Sequence, residues 1–172
     1  MRRATTLFFV TALMLPVAAL SARAVNDAQI AAIVVTANQV DIDAGKLAAS
    51  SASDPQVKAF GKQMVTDHTG VNKQATDLVT KLGVTPEDNA TAQSLKSGGA
   101  ENVKNLSGLK GAAFDRAYVD HEIAYHQQVL DALDTTLIPS AQNAELKALL
   151  VKVRPAFVAH LEHAKMVQKS LK

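Results

Sequence analysis

Cysteine and tryptophan are absent from this 172-residue chain, and aromatic residues make up only 4% of it. The first absence removes disulfides, thiolate metal ligands, a cysteine nucleophile and a cysteine-borne lipid anchor together. The second leaves a core to be assembled from Ala, Val, Leu and Ile. Side chains this small let helices approach closely, so the composition favours an all-helical bundle. Long apolar runs are scarce as well: beyond residue 24 none approaches the roughly 18 apolar residues a membrane-spanning helix requires. Catalytic signatures are missing too. There is no Gly-rich phosphate loop and no Gly-x-Ser-x-Gly elbow, and His121-Glu122 is followed by His126, one position too far along for His-Glu-x-x-His.

The chain also lacks an excess of charge. Residues 1–24 have the features of an export signal: a basic start at Arg2-Arg3, an apolar core over residues 7–20 interrupted by Thr11 and Pro16, and the small-x-small sequence Ala22-Arg23-Ala24. Without Arg2, Arg3 and Arg23, 15 of the 18 basic residues remain against all 16 acidic ones, a net of −1 with His neutral. Nothing in that balance points to a nucleic-acid partner or a membrane-surface patch. The expectation is export to a bacterial periplasm with no transmembrane anchor in the mature chain. Residues 25–172 then form one domain long enough to bury a core.

Apolar residues at three-four spacing predict four long helices. Helix one runs from about Asp27 to Ala52 with Ile30, Ile33, Val34, Ala37, Val40, Ala44, Leu47 and Ala48 on one face and Asp41 at its edge. Asp54-Pro55 caps and starts helix two, which continues to Leu82 and stops at Gly83. Its stripe is Val57, Phe60, Met64, His68, Val71, Ala75, Leu78 and Leu82. From Glu87 to Leu106 the chain is polar and interrupted at Gly98-Gly99, which predicts a shorter, less regular helical connection. Helix three runs from Gly111 or Ala112 to about Leu137, with a broad buried face, and Ile138-Pro139-Ser140 breaks it. Helix four spans about Asn143 to Leu171, and Pro155 should kink it one turn before His160. Two long hairpins joined by a long connection outline a four-helix bundle with a crossover.

Three of the five histidines, His68, His121 and His160, replace Leu or Val on the inward faces of three predicted helices. A buried polar group without a partner costs about 1–3 kcal/mol, so each needs one. Counting back from the turns puts His68 at the level of residue 38 on helix one, three residues from Asp41, and His121 at the level of residue 159, beside His160. One reading is a site for a divalent transition metal (Fe, Zn, Cu or Ni) held by Asp41, His68, His121 and His160, with Glu122, His126 and His163 as supporting or alternative ligands. The other is a buried polar network that fixes helix register, each imidazole tied to an Asp, to Tyr118 or Tyr125, or to water. The four-residue spacing of Glu122 and His126 is by default a helix-surface pair, and Asp67 and Asp120 read as surface residues. A standard diiron centre needs Glu-x-x-His on two helices. Here Glu122 is followed three later by Tyr125, Glu162 by Lys165 and Glu145 by Ala148, so that centre is disfavoured.

Gly45-Lys46-Leu47-Ala48, Val57-Lys58-Ala59-Phe60 with Met64-Val65-Thr66-Asp67-His68, Phe114-Asp115-Arg116-Ala117-Tyr118-Val119, and Leu146-Lys147-Ala148 with Pro155 and His160-Leu161 together resemble domain-of-unknown-function family 4142. Members of that family are exported bacterial proteins, often labelled "predicted outer membrane protein". The resemblance implies a ferritin-like helical bundle and no particular activity, ligand or partner. Family members usually have Glu where this chain has Asp41 or Asp43. The leading functional expectation is a non-catalytic periplasmic binding or envelope-stress protein. The alternatives are a metal-dependent redox enzyme with a non-standard ligand set and a structural module that docks another envelope protein.

Overall fold

The computed structural model describes residues 25–171, so the export-signal reading of residues 1–24 lies outside the described part. Four of the five long helices begin at a side chain that satisfies otherwise orphaned N–H groups. Asn26 opens α1 (Asp27–Ser51) with a capping box, accepting from the Gln29 amide at 2.8 Å while Gln29 Oε1 accepts from Asn26 N. Asp54 caps α2 (Pro55–Lys81) through the Gln56 amide at 2.7 Å, with Pro55 in the first turn. Gly83, at φ 63°, ends α2 in a left-handed turn, and Val84 N reaches back to Val79 O at 2.9 Å. Asn89 caps α3 (Ala90–Ser107), and Asn143 caps α6 (Ala144–Ser170). Among these five long helices, α4 (Gly111–Ala132) starts without a side-chain cap.

Three expectations need correction. The connection between α2 and α4 is helical and shorter than the other four, as expected, but its 18-residue helix is regular rather than irregular. Gly99 permits this: a Cβ there would lie 2.6 Å from Val40 Cγ2, so the missing side chain is what lets α3 press against α1. Nor does this helix begin at Glu87: Thr85-Pro86-Glu87-Asp88 is not helical. Glu87 instead ties the loop to the head of α1, receiving Asn26 Nδ2 and Gln29 Nε2 and donating its own N–H to Ala28 O. Finally, Pro139 does not break the helix where expected. The chain widens into a π-helical turn (Leu133–Leu137), in which the Ile138 N–H bonds Leu133 O five residues back, and then makes one more turn, α5 (Ile138–Ser140). Pro155 likewise lies within α6 without ending it. Its missing donor falls on the exposed side, where water can serve the Val151 carbonyl.

Each of α1, α2, α4 and α6 packs on two neighbours in the order α1–α2–α6–α4, and α3 lies across α1 and touches α4. The end contacts give the directions. Asp27 at the head of α1 accepts the Gln142 and Asn143 amides before α6, both at 2.9 Å. Asp115 near the head of α4 accepts the Ser53 and Asp54 amides in the α1–α2 turn at 2.9 and 2.8 Å. So α1, α3 and α6 run one way and α2 and α4 the other. Every neighbouring pair in the ring is antiparallel, with α3 as the crossover.

The apolar core is in two parts. One, toward the start of α1, includes Ile30, Ile33, Val34, Val71, Leu133, Leu150 and Phe157. The other includes Ala44, Ala48, Phe60, Met64, Phe114, Val119 and Val167. Between them lies a buried polar layer of Asn38, Asp41, His68, Glu122, His126 and His160.

Candidate metal centre

All four ring helices contribute to this layer. The α1–α2 hairpin supplies Asp41 from its first helix and His68 from its second. The second hairpin supplies Glu122 and His126 from α4 and His160 from α6. None of the five is more than 3% exposed. One donor atom each from His68, His126 and His160 lies within 4.8 Å of the others, and the same holds for Asp41, Glu122 and His126.

The hydrogen bonds fix which nitrogens are free. Asn38 Nδ2 donates to the Val34 carbonyl at 2.9 Å, which turns Asn38 Oδ1 toward His68 Nδ1 at 2.7 Å. That oxygen can only accept, so His68 carries its proton on Nδ1 and its lone pair on Nε2. His126 Nδ1 donates to the Glu122 backbone carbonyl at 3.0 Å and leaves its Nε2 free. His160 Nε2 donates to Asp67 Oδ2 at 3.0 Å and leaves its Nδ1 free. These three leftover nitrogens are buried and have no hydrogen-bond partner. An imidazole oriented by a carbonyl or carboxylate on one nitrogen presents the other as a metal ligand.

Electrostatics hold the rings neutral. Burial, reinforced by the neighbouring imidazoles, pushes His68 down to about 2 and His126 to about 4. His160 is lowered by burial despite the opposing pull of Asp67. The carboxyls move the other way: burial pushes Asp41 up to about 7 and Glu122 well above its ordinary value. The neighbouring Asp41 carboxyl adds to the upward push on Glu122. Asp41 Oδ2 is also 3.6 Å from His68 Nε2, and its Oδ1 has no partner.

The structure regroups the residues anticipated from sequence. It gathers Asp41, His68 and His160. His121 is half-buried at the rim of α4, stacked on Tyr125 with ring centroids 5.7 Å apart, and belongs to neither ligand group. The buried face of α4 is centred on Glu122, between the two stripes read from sequence. Glu122 and His126 are therefore not a surface pair but fully inside. His163 faces Gln63, whose Oε1 lies 2.9 Å from its Nδ1, and packs edge-on against Phe60. Asp120 is exposed, as read, whereas Asp67, partly exposed, orients His160. Sequence reasoning missed Asn38. Its signal was available: Val34, residue 38 and Asp41 continue the inward spacing of α1, so an amide occupies an apolar position.

The sequence model described as "Domain of unknown function (DUF4142)" matches residues 12–167. The chain belongs to the DUF4142 family. No curated protein and no solved structure matches it. The family description assigns no chemistry to the DUF4142 layer, so function has to be argued from the donors themselves. Three neutral imidazoles and two carboxyls form one donor set, because His126 has a single free lone pair and cannot serve two ions at once. Imidazole with carboxylate suits Zn, Fe, Cu and Ni.

Proposed function

We propose that this DUF4142 protein is an exported, ferritin-like bundle that binds one divalent transition metal ion in its core, as a non-catalytic binding protein of the bacterial periplasm. The ion is held by His68, His126 and His160, with Asp41 beside them and Glu122 as an alternative carboxylate. The convergence of three buried, partnerless imidazole lone pairs carries this reading. Each unmade bond costs about 1–3 kcal/mol, and a single metal ion would satisfy the three acceptors together. Asn38, Asp67 and the Glu122 carbonyl orient the rings for it. Export is supported by the basic-apolar-small pattern of residues 1–24, and the ferritin-like assignment by four antiparallel helices with a single long crossover.

The test is elemental analysis of protein purified from its own periplasm, set against a His126→Ala variant whose helicity is checked by circular dichroism. Near-stoichiometric metal in the native protein and its loss in a folded variant support the reading. Equal metal content in the two, or none in either after growth with added Zn, Fe, Cu and Ni, overturns it.

A further inference from the structure

Beside the polar layer lies a cavity of about 90 Å³. Val34, Leu133, Leu150 and Phe157 form its walls, and the exposed Thr91 and Gln128 mark its mouth between α3 and α4. On the inner side it meets Asn38 and Asp41. Both polar ends of the Asn38 side chain are engaged, by Val34 O and by His68. Asp41 Oδ1 is not engaged, and Asp41 is 3% exposed. The cavity thus combines apolar walls with the buried Asp41 carboxyl at its floor, the arrangement of a small-molecule pocket.

Two further observations concern its walls. Leu133 and Leu137 line it from the π-helical turn, and such turns recur at functional sites. Phe157, on the opposite wall, stacks flat on His68 with centroids 5.2 Å apart and planes 10° apart, so the cavity and the histidine cluster share a partition. Size limits the occupant. An engineered apolar cavity of about 150 Å³ takes benzene, so this one suits a molecule somewhat smaller.

We infer that the cavity binds a small, uncharged, largely apolar molecule of about three to five heavy atoms, with its single hydrogen-bonding atom on the Asp41 carboxyl. Asp41 is shared with the proposed metal site, so the experiment is done on metal-free protein and separates the two. Metal-free protein, stripped by chelation and verified by elemental analysis, is titrated with 1-butanol while methyl resonances are followed by NMR. Butyrate serves as the charged control. Saturable shifts at Leu133, Leu150 and Val153 with butanol, and none with butyrate at equal concentration, are expected. Ala132→Leu and Leu95→Phe, two half-buried wall positions on different helices, should each weaken butanol binding at least tenfold. Shifts that never saturate, or filled variants that bind as the native protein does, overturn the inference whatever the metal analysis finds.

Discussion

Asn38 Oδ1 accepts the Nδ1 proton of His68 at 2.7 Å, so an amide on α1 decides which nitrogen of an α2 imidazole faces the polar layer. Partners of this kind typically account for 10–100-fold in metal affinity. Asn38→Ala should therefore weaken metal binding by about that factor without abolishing it. Competition with a chromophoric chelator measures the change. An unaltered affinity would show that His68 needs no such orientation.

His126 and His121 make a sharper pair. His126 belongs to both ligand groups and His121 to neither. His126→Ala should lower affinity by more than about 100-fold, beyond the usual effect of an orienting partner. His121→Ala should change it less than about threefold, since it removes no donor. The reverse ranking in the same chelator assay would return the site to the ligand set expected from sequence.

The helix glycines should respond to alanine with opposite signs. A Cβ on Gly61 would meet Ala48 Cβ at 2.8 Å and the Ala49 N and Gly45 O atoms at 2.9 Å, mostly unyielding backbone across the α1–α2 contact. Gly61→Ala should cost about 1–3 kcal/mol in urea unfolding, as overpacking does. Gly70, on the same helix, has nothing within 4 Å of its added Cβ, so Gly70→Ala should stabilise by about 0.5–1 kcal/mol through backbone entropy alone. Equal effects at both positions would mean that the two helices are not held at this distance.

In the metal-free protein, stability should peak near neutral pH. The signs follow from the shifted groups. Asp41 and Glu122 are raised, so the folded state keeps protons that the unfolded chain loses from about pH 4 upward. Their contribution falls as pH rises through about 7. His68, His121, His126 and His160 are lowered, so the unfolded chain gains protons the folded state refuses below about pH 6.5. Where the windows overlap, four histidines outnumber two carboxyls and stability rises with pH; above about 6.5 the carboxyls alone act. Urea midpoints from pH 4.5 to 8.5 should trace a maximum near 6.5, and Glu122→Gln should flatten the alkaline side. A midpoint that climbs steadily to pH 8.5 would contradict the carboxyl assignment.

Asp115 gives a test away from the centre. Hydrogen bonds to a charged group contribute about 1.5–3 kcal/mol, and its carboxylate takes two backbone amides of the α1–α2 turn. Asp115→Ala should lose at least about 2 kcal/mol with no change in metal affinity. A loss under about 0.5 kcal/mol would mean that water replaces the carboxylate.

Much of this was legible in the sequence because helical periodicity records which face turns inward. The bundle, the starts at Asp54 and Gly111, the stop at Gly83, and the inward placing of His68, His160 and Asp41 all follow from spacing and caps. On α4 the same logic erred by about one position. Apolar residues bracket a broad face there, and its midline, Glu122, carries the most polar side chain in the stripe, so charge hid its depth. The alignment of the hairpins was also out of reach. It depends on α3, whose inward stripe of Ala92, Leu95, Gly99, Val103 and Leu106 is made of few and mostly small side chains and does not say which helix it covers. Nor could the π-helical turn be foreseen, since Pro139 signals a stop and a wider turn is another way to accommodate it.

The reciprocal aspartates have a consequence for how the molecule comes apart. Asp27 belongs to the first hairpin and closes the turn of the second; Asp115 belongs to the second and closes the turn of the first. Neither half can complete its own corner. Each is finished only by a residue of the other, and the polar layer likewise draws on both. The two halves therefore share their final bonds, and opening one releases the corner of the other. Such mutual dependence favours a single all-or-none unfolding event over two successive ones.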